Sequence, residues 1–116
     1  VSDVIIYHNP KCSKSRATLK LLSDRATEPR VVEYLKSPLD EDGLARILGM
    51  LNMEPHDLLR TGEDKYEELG LAGKRNDSGA IIAAMVAHPI LIERPIVVKG
   101  NQARIGRPPE RVLEIL

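Results

Sequence analysis

The chain has 116 residues, 42% hydrophobic and 29% charged, and its 17 Lys and Arg balance 17 Asp and Glu. A chain of this size removes roughly two-thirds of its unfolded surface from water around one core, which excludes two full domains and predicts a single domain over 1–116. Zero net charge supplies no long-range field for neutralising phosphates, and with no Phe, no Trp and three Tyr there is no platform for stacked bases, so nucleic acid is not an expected partner.

The opening Val1-Ser2-Asp3-Val4 lacks the basic region of a secretory signal, and no run approaches the ~18 apolar residues of a membrane span. A cytoplasmic protein with no membrane partner is expected. Val4-Ile5-Ile6-Tyr7 reads as a buried strand that stops at the punctuation His8-Asn9-Pro10. Ala17, Leu19, Leu21 and Leu22 then sit among basic residues as a helix of about three turns, with Cys12 or Ser13 at its cap. Val31–Leu35 reads as a second strand, entered after Glu28-Pro29 and left through Ser37-Pro38, which completes a βαβ unit.

Asp40 caps a segment in which Leu44, Ile47, Leu48 and Leu51 form one apolar stripe. Pro55 suits the first turn of a short helix containing Leu58 and Leu59, and another helix runs from near Glu63 to Gly70. Asp77 caps a helix with Ile81, Ile82, Met85 and Val86 on its stripe before His88-Pro89. Ile96–Lys99 and Ala103–Ile105 flank Gly100-Asn101-Gln102 as a hairpin, and Pro108-Pro109 starts a last helix with Glu110 in its first turn. The order βαβ, helical insert, ββα predicts an α/β fold with a small mixed four-stranded sheet, which the thioredoxin-like architecture fits.

Cys12, the only cysteine, excludes an internal disulfide, a C-x-x-C dithiol and any multi-cysteine zinc site. It lies in His8-Asn9-Pro10-Lys11-Cys12-Ser13-Lys14-Ser15-Arg16, between a strand and a helix start. Unpaired amides, the positive end of the helix dipole and the cations Lys11, Lys14 and Arg16 favour a thiolate there, and the same amides suit a tetrahedral oxyanion. The bland alternative is an inert cysteine filling a gap beside the strand. His56 and His88 have no partner at metal-ligand spacing, so no metal is expected.

Tyr7-His8-Asn9-Pro10-Lys11-Cys12, Ser15-Arg16, Leu58-Leu59-Arg60, Tyr66–Leu71, His88–Val98 and Gly106-Arg107-Pro108 together resemble the glutaredoxin-coupled arsenate reductases of the thioredoxin superfamily over essentially the whole chain. The resemblance implies that Cys12 attacks arsenate, that glutathione as co-substrate and then glutaredoxin reduce the adduct in arsenic detoxification, and that no cofactor is bound. It also implies that Arg60, Arg94 and Arg107 surround the oxyanion, where planar guanidiniums fork two hydrogen bonds onto a tetrahedral anion. A cis Arg94–Pro95 bond beside the cysteine is implied as well.

His8 either stabilises the Cys12 thiolate as an imidazolium or caps the loop through a backbone hydrogen bond. Ser15 either donates to the sulfur or bonds the local backbone. Ser13-Lys14 replaces the Gly-Thr of the better-known arsenate reductases, which keeps a related oxyanion or a glutathione-linked thiol oxidoreductase as alternatives. An Spx-like regulator that binds RNA polymerase is another, although Ser15 stands where its second switch cysteine would be.

Overall fold

The structure is a computed structural model that describes residues 3–25 and 27–116. Val1 and Ser2, read above as the start of an N-terminus without a signal, lie outside the described residues, as does Ala26. The chain forms two compact units, one built from the residues up to Ser37 with Arg94–Leu116, the other from Pro38–Glu93.

The first unit holds a four-stranded sheet in the order β2-β1-β3-β4. Strand β1 (Val4–Tyr7) is central because both of its edges are paired: parallel to β2 (Arg30–Val32), with Ile6 opposite Val31, and antiparallel to β3 (Ile96–Lys99), with Ile6 opposite Val97. Strand β4 (Gln102–Ile105) continues antiparallel from β3, with Ile96 opposite Ile105 and Lys99 opposite Gln102. Helix α1 (Ser13–Asp24) brings Leu22 onto Val4, Ile6 and Val97, and Val112 and Ile115 close the same core.

Three details differ from the sequence reading. The second strand ends at Val32, because the amides of Lys36 and Ser37 both turn back to Glu33 O at 2.9 Å and bury Tyr34 while exposing Leu35. The hairpin turn has two residues, not three. Gly100 sits at φ 61°, where glycine carries no Cβ penalty, and Gln102 already pairs with Lys99. The final helix, Pro109–Ile115, is a 3-10 helix rather than an α-helix. Pro108 and Pro109 bring no N–H, Arg111 N–H closes on Pro108 O at 3.1 Å, and the three-residue repeat stacks Val112 above Ile115 on the core face.

The second unit is the expected helical insert. Helix α2 (Glu41–Leu51) starts where Asp40 Oδ1 accepts Gly43 N–H at 2.7 Å, and it buries Leu44, Ile47 and Leu48. It packs on α4 (Ser78–Ala87), which is capped by Asp77 Oδ1 on Ala80 N–H at 3.1 Å and buries Ile81 and Met85. Between them lie 3-10 turns at Pro55–Leu58 and Leu71–Lys74 and the short α3 (Asp64–Glu68), and a further 3-10 turn, Pro89–Leu91, follows α4. Leu59 bridges Ile92 antiparallel, with Arg60 N–H on Leu91 O at 2.7 Å. No helix of the described residues is long and apolar enough to cross a membrane.

Leu22 is fully buried in the first core, so Leu22→Ala is expected to lower the unfolding free energy by about 2–5 kcal/mol through lost transfer energy and a residual cavity. Removing the α2 cap with Asp40→Ala is expected to cost only about 1 kcal/mol. Urea denaturation checks the order, and a smaller loss at Leu22 than at Asp40 would contradict it.

Candidate active site

Strand β1 delivers the chain into a loop tied by its own side chains. Asn9 O accepts Cys12 N–H at 3.0 Å, closing a turn with Pro10 at its second position, and Asn9 Oδ1 accepts Lys11 N–H at 3.0 Å. Asn9 N–H in turn donates to Ser15 Oγ at 3.2 Å, and Arg16 Nη1 donates to Pro10 O at 2.9 Å. These ties leave Cys12 extended, at φ −95° and ψ 124°, as the residue just before α1.

No side chain closes this helix start with a standard cap hydrogen bond. The first-turn amides act on the sulfur all the same, and with the positive end of the helix they favour its anion. Burial pushes the Cys12 thiol up, but the backbone N–H of Ser15, the Arg94 guanidinium and the backbone N–H of Lys14 outweigh it and hold the thiol below its ordinary value. Arg107 Nη2 also donates to the sulfur at 3.6 Å.

The two arginines flank the β3–β4 hairpin. Arg94 precedes β3 by two residues and Arg107 follows β4 by two, so the hairpin register sets them opposite each other. Arg107 Nε donates to Arg94 O at 2.7 Å, and Gly106 N–H to Pro95 O at 2.9 Å. The peptide bonds Arg94–Pro95, as the resemblance implied, and Arg107–Pro108 are both cis. Gly106 allows the close approach, because a Cβ there would lie 2.5 Å from Thr18 Oγ1 and 2.9 Å from Pro95 Cγ. Arg94 Nε and Nη1 are buried without a hydrogen-bond partner among the described residues. Buried guanidinium N–H groups in that condition leave room for an acceptor from outside the protein, water or an anion.

The first unit thus gathers Cys12, Ser15, Arg94 and Arg107. Ser15 contributes its backbone N–H to the sulfur while its hydroxyl serves Asn9, the local-backbone role of the two considered. His8 is buried, with its backbone N–H on Val32 O at 2.8 Å. Burial outweighs the nearby Glu33 carboxylate, and with Arg16 it holds the imidazole below its ordinary value, so the neutral ring prevails at pH 7 rather than an imidazolium. Arg60 belongs to the second unit, its guanidinium half-buried and 3.9 Å from Glu63 Oε2. Among the described residues no cluster of three or more His, Cys, Asp or Glu side chains could hold a metal.

Asn9 and Gly106 stand in motifs quoted above without a role of their own, and Thr18 was not named from the sequence. An Asn-Pro pair two residues before an unpaired amide does signal an Asx turn, whereas the seat of Gly106 on Thr18 leaves no local trace.

The ArsC family model matches residues 7–115. The Escherichia coli (strain K12) protein YfgD is 54% identical over 114 residues, covering 97% of this chain and 96% of its own. An arsenate reductase of the same strain is 43% identical over 116 residues, covering 100% of this chain and 82% of its own. Among solved structures, an arsenate reductase from Vibrio cholerae superposes with a TM-score of 0.95 at 50% identity, covering 97% of both chains.

A thiol lowered in the folded state adds stability that is fully present above the unfolded thiol value and disappears as pH falls through the folded one. Urea denaturation of the wild-type chain and Cys12→Ser across pH is therefore expected to show a stability difference that shifts toward the wild type as pH rises between those two values. A flat difference would mean that Cys12 ionises alike in both states.

Proposed function

The chain belongs to the ArsC family, and on that premise we propose that it is an arsenate reductase whose nucleophile is the Cys12 thiolate. The observation that carries the proposal is the pairing of this lowered thiol with Arg94, whose buried Nε and Nη1 have no hydrogen-bond partner among the described residues. A tetrahedral oxyanion supplies the acceptors those donors need and lies next to the attacking sulfur. Arg107 Nε is held on the Arg94 carbonyl while its Nη2 reaches the sulfur, so a second guanidinium flanks the same position.

In the first step the Cys12 thiolate bonds to arsenic as one arsenic–oxygen bond breaks, and the oxygen leaves as water after protonation. Arg94 and Arg107 hold the remaining oxygens and offset their charge. Arsenic must then accept two electrons, and a chain with one cysteine has no second thiol to close an internal disulfide. Glutathione supplies that thiol: its sulfur displaces a second oxygen from arsenic, again as water. A glutaredoxin thiolate then attacks the glutathione sulfur, so a glutaredoxin–glutathione disulfide forms and the arsenic–sulfur electron pair stays on arsenic, now As(III). Water releases arsenite from Cys12 and restores the thiol. Arg60 joins the oxyanion ligands on the strength of the family resemblance.

Sustained arsenate turnover is expected with glutathione and glutaredoxin together, none with thioredoxin alone, and none in Cys12→Ser. Without glutaredoxin, mass spectrometry is expected to find glutathione retained at Cys12. Multiple turnovers with thioredoxin and no glutathione would overturn the coupling, and inactivity in both systems would overturn the arsenate reading. Arg94→Lys is expected to cut kcat/KM by about tenfold or more, because a point charge cannot reproduce the bidentate fork. For Arg60→Ala the KM for arsenate is expected to rise, and an unchanged KM would remove Arg60 from the oxyanion set.

A further inference from the structure

Asn9 carries three of the hydrogen bonds that shape the loop before α1. Its carbonyl takes Cys12 N–H at 3.0 Å, its side-chain Oδ1 takes Lys11 N–H at 3.0 Å, and its own N–H reaches Ser15 Oγ at 3.2 Å. The residue is 5% exposed and Ser15 is fully buried. An Asx turn is therefore nested inside a backbone turn, with Pro10 supplying the preset φ at the second position.

This arrangement closes a ring. Ser15 is engaged from both ends, its N–H acting on the Cys12 sulfur and its hydroxyl receiving Asn9 N–H. The Asn9 carbonyl in turn receives Cys12 N–H, so the nucleophile, the first helical turn and the loop are linked through the main chain of Asn9, which its own carboxamide fixes by accepting Lys11 N–H. The remaining tie, Arg16 Nη1 on Pro10 O at 2.9 Å, is exposed to solvent. Removing Oδ1 orphans the Lys11 amide and leaves the turn free to relax, which moves the N-terminal anchor of Cys12 while α1 stays in place. Charge–dipole attraction depends steeply on distance and angle, so a small displacement of the sulfur weakens its interaction with the first-turn amides.

We propose that Asn9 is a positioning residue, which acts through its nested turn to fix where the Cys12 sulfur sits against the amides of Ser15 and Lys14. The proposal rests on reading Cys12 as the nucleophile, and it assigns Asn9 no contact with substrate. The charged and titratable groups about the sulfur and the loop, Arg94, Arg107, Arg16, Lys11, Lys14 and the neutral His8, all remain in an Asn9 variant, so a change in thiol ionisation reports the geometry of the turn.

The test compares Asn9→Ala, which removes the acceptor, with Asn9→Ser, whose hydroxyl forms the weaker equivalent turn. Thiolate formation is followed by absorbance at 240 nm across pH, and by iodoacetamide alkylation at one pH below the ordinary thiol value. Alkylation is expected to slow roughly three- to tenfold in Asn9→Ala, with Asn9→Ser between it and the wild type. Inorganic phosphate binding, measured by calorimetry, is expected to stay within about twofold, because the arginines keep their places. Wild-type alkylation in folded Asn9→Ala would overturn the proposal, as would slowed alkylation accompanied by an equal loss of phosphate binding. If Asn9→Ala does not fold, Asn9→Ser alone decides, and a wild-type rate there overturns it. Neither readout involves arsenate, so the result stands whether or not the coupled reductase assay succeeds.

Discussion

The structure turns on easing the cost of a negative charge on a sulfur that is almost out of water. Desolvation works against the thiolate, and it is the largest influence on Cys12. The loop before α1 and both ends of the β3–β4 hairpin supply what opposes it: first-turn amides from below, the Arg94 guanidinium beside the sulfur, and Arg107 at 3.6 Å. Arg94 keeps two buried donors with no acceptor among the described residues, and that cost is carried by the rest of the fold.

Register is what converts two arginines thirteen residues apart into neighbours. With Ile96 opposite Ile105, continuing the pairing outward sets Pro95 against Gly106 and Arg94 against Arg107, and the hydrogen bonds at 2.9 and 2.7 Å follow that continuation. A three-residue turn at Gly100–Gln102 would have moved every pair by one and set Arg94 against Pro108. Because side chains alternate faces along a strand, a slip of one residue also redirects the guanidiniums. Gly100 at φ 61° therefore bears on where the two arginines meet, since the two-residue turn depends on it.

Much of the architecture was legible because its signals are local. The apolar run Val4–Tyr7, the caps at Asp40 and Asp77 and the stripe Leu44, Ile47, Leu48 each act within one or two turns of chain, and all appear in the structure. Errors fell where distant packing decides. The alternation in Val31–Leu35 suits a strand, yet the chain turns after Val32 and Tyr34 goes inward. The apolar residues of the last helix fit an α-helix as well as a 3-10 helix, and two prolines without amides, together with the core contacts of Val112 and Ile115, chose the tighter form. For His8, chemistry alone allowed an imidazolium. Burial beside Arg16 favours the neutral ring, and burial is not visible at the level of residue type.

The sequence by itself determined that a single thiol stands at a strand-to-helix junction, that no internal disulfide can form, and that the elements run βαβ, helical insert, then two strands and a short final helix. These follow from counting, periodicity and capping, all of which act between near neighbours in the chain. Only the tertiary structure decided that Arg94 and Arg107 face one another beside that thiol, that Ser15 works through its amide while its hydroxyl serves Asn9, and that Gly106 makes room against Thr18. The physical reason is that side chains remote in sequence meet through strand register and close packing, and one residue of slip in either would leave the composition and every local pattern unchanged.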